Sequence, residues 1–358
     1  MNALAGSLAR NVVTATRKCP SGDAGESVSI SGSVALIGAW NADNYQGAVC
    51  VYTRSRRGWR LTSVLKDPGG KKWDGFGYKV AVSSTGAGTY AVVSGSGDGE
   101  SPGLTYIYLR SGGTWRIAAR LTDPTKALDD FGQSVALSGT TAVVGADDAK
   151  KGAGLLYVYV KSGSGWRLQA TLGNPTRTPN FGSDLSISGG TLMVGDQEQP
   201  SPSTRSRPST AGRPAATSVF VRSGSRWHVQ AELTTSTPAA VSIVGNMALI
   251  GQEAPGNAVI FARTGRHWRR LSLLRGPFGN SVAIAGHAAV IGGPYADGGC
   301  GAAYVYEGSG KRWRLRVKLV PPKCPKNTLE LFGWSVAAAG NTAVIGGGYG
   351  GAFVMHFP

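Results

Sequence analysis

A tryptophan returns roughly every 50 residues along this chain, each time behind a similar hairpin. The six copies are Trp59, Trp115, Trp166, Trp227, Trp268 and Trp313. Residues 131–172 show the full unit, which parses into four short strands, SVAL, TAVVGA, LLYVYVK and WRLQATL, here named A to D. Four antiparallel strands at this period are typical of one blade of a β-propeller. The sequence therefore predicts a ring of blades.

The turns and faces of this unit have direct chemical causes. Ser-Gly-Thr-Thr joins strand A to strand B, and Ser-Gly-Ser-Gly joins C to D, because glycine supplies the positive φ that tight hairpins require. Strand A carries branched side chains on one face (Val135, Leu137) and small ones on the other (Ser134, Ala136). Near the axis, a large column facing a small one fills space without clash. One such sheet is marginally stable alone, so each blade needs its neighbours.

The unit occurs seven times, and its last copy stops after strand C. The A–B segments begin near residues 25, 77, 132, 182, 240, 279 and 333. The start of the chain, residues 8–25, resembles the strand D and exit loop at 314–331. We therefore predict that residues 9–16 pair beside Ala352–His356 and complete the last blade, because a closed ring removes exposed sheet edges. The predicted fold class is all-β, a seven-bladed β-propeller of four-stranded antiparallel blades closed by the N-terminal strand.

We predict a single domain, residues 1–358. Its first six blades span approximately 25–75, 76–130, 131–180, 181–239, 240–277 and 278–331, and its seventh consists of 332–358 together with 8–18. Blade four carries an insertion at 196–218 that is rich in Pro, Ser, Thr and Arg. This composition cannot bury a core, so we expect a disordered loop between strands B and C. Both a tolerated insertion and a tether fit this composition.

Five of the repeats open with a Phe-Gly pair, and two have Gly-Ala or Gly-Gly-Pro at the end of strand B. The pairs begin at Phe76, Phe131, Phe181, Phe278 and Phe332, and the later stretches begin at Gly145 and Gly292. Blades one and five depart, with Ala24 for the Phe and Thr237 and Pro238 for both residues. Over essentially the whole chain the pattern resembles the FG-GAP repeat of integrin-type propellers; Kelch repeats are the alternative, but the recurring Phe-Gly argues against them. The resemblance implies extracellular adhesion, ligand recognition or a cell-envelope role.

Metal and catalytic signals are weak in the sequence. The resemblance implies calcium bound through an Asp-rich stretch in the A–B loop, but no A–B loop here holds an acidic residue. The four histidines lack the spacing of paired metal ligands, and no Gly-x-Ser-x-Gly elbow occurs. We predict no metal, no cofactor and no catalytic residue. A polysaccharide-acting hydrolase or lyase stays open, because loops of distant blades can assemble a site.

The formal net charge of +17 points either to an anionic partner or to solvated surface hairpins. In a propeller the D–A and B–C connections share one face, the loop face, and the A–B and C–D turns share the other, the hairpin face. All but three of the 20 acidic residues fall in loop-face segments, whereas the C–D hairpins and their flanks hold about half of the 37 Lys and Arg. The predicted basic face consists of Arg54, Arg56, Arg57, Arg60, Arg263, Arg266, Arg269, Arg270, Lys311, Arg312, Arg314 and Arg316.

The residue after each Phe-Gly pair is expected at the mouth of a central funnel on the loop face. These residues are Tyr78, Gln133, Ser183, Asn280 and Trp334, with Glu26 as the equivalent in blade one. Without Ser183, and with the charged neighbours Lys79 and Asp184, they form the predicted ligand-binding set: Glu26, Tyr78, Lys79, Gln133, Asp184, Asn280 and Trp334. Aromatic rings stack on the apolar faces of sugars, and amides bond their hydroxyl groups, so this mixture suits carbohydrate. Ordinary variation at the rim, with Lys79 and Asp184 as a compensating ion pair, is the alternative explanation.

Four cysteines allow three pairings. Cys300 falls in a B–C loop and Cys324 in the D–A loop that leaves the same blade, so both lie on the loop face. We predict a disulfide between them in an oxidising compartment. Cys19 lies in the equivalent exit loop near the N-terminus, and Cys50 falls inside strand C of blade one, where we expect a buried thiol. The pairing of these last two stays open.

The sequence favours a non-enzymatic, extracytoplasmic scaffold for recognition or adhesion, secreted or at the cell surface. We expect its basic face to meet anionic polysaccharide, a membrane surface or a protein, and the chain to be monomeric. A lectin-like carbohydrate-binding propeller is the alternative. Nucleic acid ranks below these because the hairpin tryptophans are expected to pack between blades and not on bases. No apolar run of 18 residues occurs, and no signal-peptide stretch is visible; whether a signal was removed stays open.

Overall fold

The computed structural model describes residues 13–14, 19, 24–95, 103–125, 129–175, 180–196, 216–235, 238–252, 256–277, 279–324, 329–348 and 351–357. In this part of the chain 28 strands, numbered β1 to β28 in chain order, form seven sheets of four antiparallel strands. Strand A of each blade contacts strand A of the next, and the last contacts the first. The predicted all-β seven-bladed propeller is confirmed.

The strands of the first four blades follow the predicted A-to-D order. Blade one contains Val28–Ser31, Val34–Ala39, Ala48–Ser55 and Gly58–Leu65 (β2–β5), and blade two Lys79–Thr85, Gly88–Gly95, Leu104–Ser111 and Thr114–Leu121 (β6–β9). Blade three contains Ser134–Ser138, Thr141–Ala146, Leu155–Ser162 and Gly165–Gly173 (β10–β13), and blade four Phe181–Ser188, Thr191–Asp196, Ala216–Ser223 and Arg226–Thr234 (β14–β17).

The last three blades keep the same order. Blade five contains Pro238–Val244, Met247–Gln252, Asn257–Thr264 and His267–Arg275 (β18–β21), and blade six Ser281–Ala285, Ala288–Gly293, Ala302–Ser309 and Arg312–Leu319 (β22–β25). Blade seven contains Ser335–Ala339, Thr342–Gly346 and Ala352–His356 (β26–β28) together with Val13–Thr14 (β1). Short helical turns occupy Ala42–Tyr45, Ala149–Gly152 and Ala296–Gly299. No helix among the described residues is long and apolar enough to cross a membrane.

The N-terminal strand completes the last blade, as predicted. β1 pairs antiparallel with β28, so that Val13 lies opposite Val354 and Thr14 opposite Phe353. Strand D of blade seven therefore comes from the start of the chain, while strands A to C come from its end. The ring is closed by backbone pairing between the two ends of the chain, which leaves β28 without an open edge at these positions.

The small face of strand A forms a hydrogen-bonded link between blades. Ser27 Oγ accepts the N–H of Val80 in the next blade at 3.0 Å, and Ser281 Oγ accepts the N–H of Val336 at 2.8 Å. Strand A has a sheet partner on only one side, so its outward N–H groups need another acceptor. The serine column supplies that acceptor. The pattern of large and small residues predicted that this column fills space, but it did not predict these hydrogen bonds.

The Phe-Gly and Gly-Ala elements meet between neighbouring blades. Phe76 is fully buried, and Gly77 adopts a left-handed φ of 95°. A Cβ at Gly38, in strand B of blade one, would overlap the carbonyl oxygen of Gly77. Both glycines are therefore required where the two backbones touch, which gives the repeated motif a steric reason.

Both pairs of cysteines form disulfides. The predicted Cys300–Cys324 bond is present, and Cys19 bonds to Cys50 with a Cα–Cα distance of 5.9 Å. The expectation of a buried thiol at Cys50 is wrong: the residue is fully buried, but it is bonded across the ring closure to the segment that follows β1. The ends of the predicted insertion, residue 196 and residues 216–218, belong to strands, and its remainder lies outside the described residues.

Candidate functional site

A central cavity of about 710 Å³ runs along the axis of the ring and is lined by the A strands. Its mouth opens where strand A begins, on the loop face. All seven residues of the predicted ligand-binding set line it: Glu26, Tyr78, Lys79, Gln133, Asp184, Asn280 and Trp334. The structure thus brings together side chains that are spread over more than 300 positions of the sequence. Their role in binding remains a prediction.

An aromatic arc occupies the mouth at blades seven, one and two. Trp334 contributes from blade seven, Trp40 follows strand B of blade one, and Tyr78 begins blade two. The rings of Trp40 and Tyr78 meet edge to face with centroids 6.3 Å apart. The indole N–H of Trp40 is buried and has no hydrogen-bond partner among the described residues. This part of the mouth therefore offers apolar ring surface from three aromatic side chains.

An acidic arc occupies the mouth at blades three and four. Burial, with the neighbouring carboxylate of Asp130, raises the pKa of Asp147 to about 7. Burial also raises the pKa of Asp130 itself, with Asp148 as the second cause. Asp147 lines the cavity, and its Oδ1 is buried without a hydrogen-bond partner in this part of the structure. Near neutral pH Asp147 can therefore accept a hydrogen bond as the carboxylate or donate one as the acid.

Lys79 and Asp184 do not act as the simple compensating pair that the sequence suggested. Asp184 accepts the N–H of Val241 at 2.6 Å, which is the link that serine makes elsewhere in the ring. Burial raises its pKa to about 6, while that hydrogen bond and the more distant charge of Lys79 lower it. Lys79 also lowers the pKa of Asp147, so its charge acts on two carboxylates of the acidic arc. Its Nζ lies 5.0 Å from the ring centroid of Tyr78.

The hairpin face carries the predicted basic residues on exposed turns and outer strands. All of them are exposed except Arg263. Arg263 Nη1 donates to Thr191 Oγ1 at 2.9 Å, Nε donates to Asn246 Oδ1 at 3.0 Å, and the guanidinium lies over the ring of Trp268. Arg263 therefore helps to hold blade five against blade four, whereas the others present their charge to solvent.

The hairpin tryptophans pack toward the neighbouring blade. Trp227 Nε1 donates to Gln169 Oε1 at 3.2 Å, and Trp268 Nε1 donates to Gln230 Oε1 at 3.1 Å. In both cases the acceptor belongs to strand D of the preceding blade. These two rings are therefore occupied in blade packing, as predicted.

Sequence reasoning missed three side chains at or near the mouth, Trp40, Tyr45 and Trp73, and the carboxylate of Asp147. Trp40 and Asp147 both stand one residue after the Gly-Ala that ends strand B. That shared register was the available signal, because the predicted set used only residues at the start of strand A. No group of three or more His, Cys, Asp or Glu within the described ranges could hold a metal ion.

Comparison with known proteins supports the repeat and the fold. The FG-GAP repeat family matches residues 115–159, which run from strand D of blade two into strand C of blade three, and residues 277–306, which run from strand A into strand C of blade six. No curated protein matches the sequence. Among solved structures, the chain is similar to the crystal structure of the computationally designed Ika8 protein, with a TM-score of 0.52 and 12% identity over 95% of this chain and 98% of that one. At this identity the similarity concerns the fold alone.

Proposed function

We propose that this FG-GAP-repeat β-propeller is a non-enzymatic recognition scaffold that binds carbohydrate in its central funnel. One observation carries the proposal: the ring brings aromatic, amide and carboxylate side chains from separate blades to the mouth of one cavity. Its volume of about 710 Å³ lies within the range of roughly 300–1,000 Å³ that small-ligand sites occupy. A surface that served only to pack blades together would not need this mixture at the mouth.

The chemistry of the mouth matches the two sides of a sugar ring. Trp334, Tyr78 and Trp40 offer flat apolar surface for the C–H face of the ring. Gln133 and Asn280 offer amide donors and acceptors for hydroxyl groups, and Asp147 adds an acceptor whose pKa is near neutrality. We assign the carboxylates to hydroxyl recognition and not to catalysis.

An extracytoplasmic setting agrees with the two disulfides, because such bonds persist in oxidising compartments. It also agrees with the extracellular and envelope roles that the FG-GAP resemblance implies. We propose a secreted or surface-attached protein on these grounds.

A second binding surface is favoured by the hairpin face. Arg56 and Arg57 in blade one, and Lys311 and Arg312 in blade six, are exposed on C–D turns. Among the residues of the predicted basic face, a described ion pair engages only Arg316, which lies 3.7 Å from Glu307. Uncompensated basic groups on one face attract polyanions, so we propose this face as a docking surface for anionic polysaccharide, with membrane and protein partners as alternatives.

A glycan array with and without calcium tests the proposed function. We expect binding to a limited set of glycans, unchanged by chelation of calcium, and recovery of the bound glycans uncut after long incubation. Binding to no glycan would contradict the carbohydrate proposal. Shortened glycans after incubation would contradict the non-enzymatic one.

A further inference from the structure

Four aromatic rings form a continuous track from the funnel to the rim of the loop face. Trp40 and Tyr78 line the cavity, Tyr45 lies 5.3 Å from Trp40, and Trp73 stacks on Tyr45 with centroids 4.3 Å apart and planes at 22°. Trp73, at the outer end, is 45% exposed. We name these four residues the aromatic track.

Tyr45 occupies a backbone position that its sister blades give to glycine. The B–C turns of blades one, three and six have the same length and are closed by the same hydrogen bond, from Gly47, Gly154 or Gly301 to an alanine carbonyl. At the equivalent position, blades three and six have Gly152 and Gly299, each with a positive φ, whereas blade one has Tyr45 at a φ of 65°.

Trp73, at a φ of 75°, is strained in the same way as Tyr45. Left-handed backbone at a non-glycine residue costs free energy and is retained mainly where it serves function. Blade one therefore accepts strain to place Tyr45, and the following D–A loop accepts it to place Trp73.

The aromatic pair is not needed to hold the two loops together. Gly75 N–H bonds to the Tyr45 carbonyl at 2.8 Å, and Phe76 N–H bonds to the Gln46 carbonyl at 3.1 Å. The same two backbone bonds join the loops of blades six and seven, from Leu331 and Phe332 to Gly299 and Cys300. In that pair of loops, Leu329 and Gly299 are the equivalents of Trp73 and Tyr45, and Leu329 lies over Gly299. These loops therefore dock without two stacked rings.

We propose that the aromatic track binds successive sugar residues of a glycan chain whose end enters the funnel. The inference rests on the proposed carbohydrate function and specifies its ligand as an oligosaccharide, most suitably a β-1,4-linked chain with flat equatorial faces. Lys72 and Lys79 lie 5.1 and 5.0 Å from the ring centroids of Trp73 and Tyr78. On binding they leave the rings and donate to hydroxyl groups of the chain.

The test measures affinity against chain length by calorimetry. The probes are two series, β-1,4-linked glucose and β-1,4-linked mannose, each as mono-, tri- and hexasaccharide. The variants are Trp73→Ala and Tyr45→Gly, the latter giving blade one the residue of its sister turns. Tyr295→Ala is the matched control, because Tyr295 is an aromatic residue of the same face, 62% exposed, outside the track.

We expect the wild type to bind the hexasaccharide of at least one series more tightly than the monosaccharide. Both track variants should lose about tenfold in hexasaccharide affinity and keep the affinity for the monosaccharide, while Tyr295→Ala changes neither. Tyr45→Gly should melt no lower than the wild type, because glycine removes the strain at this position. An unchanged melting temperature in this variant would show that its loss of affinity does not come from unfolding.

The outcomes separate this inference from the proposed function. If short sugars bind normally and Trp73→Ala keeps the wild-type affinity for the hexasaccharide, the aromatic track is not a binding site. The funnel proposal would then still stand. Hexasaccharide binding that is lost in Trp73→Ala but intact in Trp334→Ala would support the track and overturn the funnel. A wild type that binds neither series at any length would overturn both.

Discussion

Replacing Cys19 by alanine should destabilise the propeller more than replacing Cys324, although the two disulfides close loops of similar length. Their sequence separations are 31 and 24 residues. The chain-entropy relation gives about 3.7 kcal/mol for the first and about 3.5 kcal/mol for the second. Loop closure alone therefore predicts nearly equal losses in the free energy of unfolding.

The difference in stability between the two variants measures how much the Cys19–Cys50 bond contributes to ring closure. Cys19 follows β1, which pairs with β28 at only two positions, and its disulfide anchors that segment to strand C of blade one. Without the anchor the short strand should separate, with a further loss of about 1–2 kcal/mol from its backbone hydrogen bonds. For a chain of this size we expect the melting temperature to fall by about 5 °C in Cys324→Ala and about 6–8 °C in Cys19→Ala.

Differential scanning calorimetry under non-reducing conditions gives the two melting temperatures. Amide hydrogen exchange of Ala352–His356 reports the separation of the strands directly, and faster exchange is expected only in Cys19→Ala. Equal melting temperatures, together with unchanged exchange in this strand, would refute the idea that the Cys19–Cys50 bond holds the ring closed.

Three further predictions concern the closing strand, the buried acid and the basic face. Deleting residues 1–18 removes β1 and should lower the melting temperature sharply; an unchanged value would contradict closure by this strand. In the wild type, burial raises the pKa of the Asp184 carboxyl from 3.8 to about 6. Asp184→Ser removes this carboxyl and keeps the hydrogen bond from Val241. The folded wild type holds the extra proton between these pKa values, so its stability falls as pH rises through this window. Urea unfolding should therefore show the variant more stable than the wild type by up to about 3 kcal/mol at pH 7.5 and equally stable near pH 4. Equal stability at both pH values would contradict the raised pKa of Asp184. The third prediction replaces six exposed basic residues of the hairpin face by Glu: Arg56, Arg57, Arg266, Arg269, Lys311 and Arg312. The melting temperature should not change, and binding to heparin at low salt should be lost. Equal heparin binding by wild type and variant would show that the hairpin face is only a solvated surface.

The sequence was sufficient for the blades because local chemistry repeats with them. Phe-Gly at the start of strand A and Gly-Ala at the end of strand B mark the places where neighbouring backbones touch, as at Gly77 and Gly38. The ring closure was also predictable, since residues 8–18 carry the strand D pattern that the last repeat lacks. Cys300 and Cys324 could be paired because both lie on loops at one end of the same blade.

Features that depend on loop geometry could not be predicted in this way. Cys50 stands in an apolar strand, and only the folded ring brings Cys19 beside it. Tyr45 and Trp73 lie in different loops, and their stacking follows from left-handed backbone at both residues, which sequence patterns rarely reveal for non-glycine residues. The funnel set was predictable by register, whereas the aromatic track that leads to it was not.

Isothermal titration calorimetry of Trp334→Ala with whichever hexasaccharide the wild type binds, cellohexaose or mannohexaose, and with Tyr295→Ala as the control, tests the funnel as a carbohydrate site most directly. Trp334 lines the cavity, whereas Tyr295 is exposed on the same face in the B–C loop of blade six. We expect Trp334→Ala to weaken binding at least tenfold with the melting temperature unchanged, and Tyr295→Ala to bind as the wild type does. Equal affinity of wild type and Trp334→Ala would contradict it.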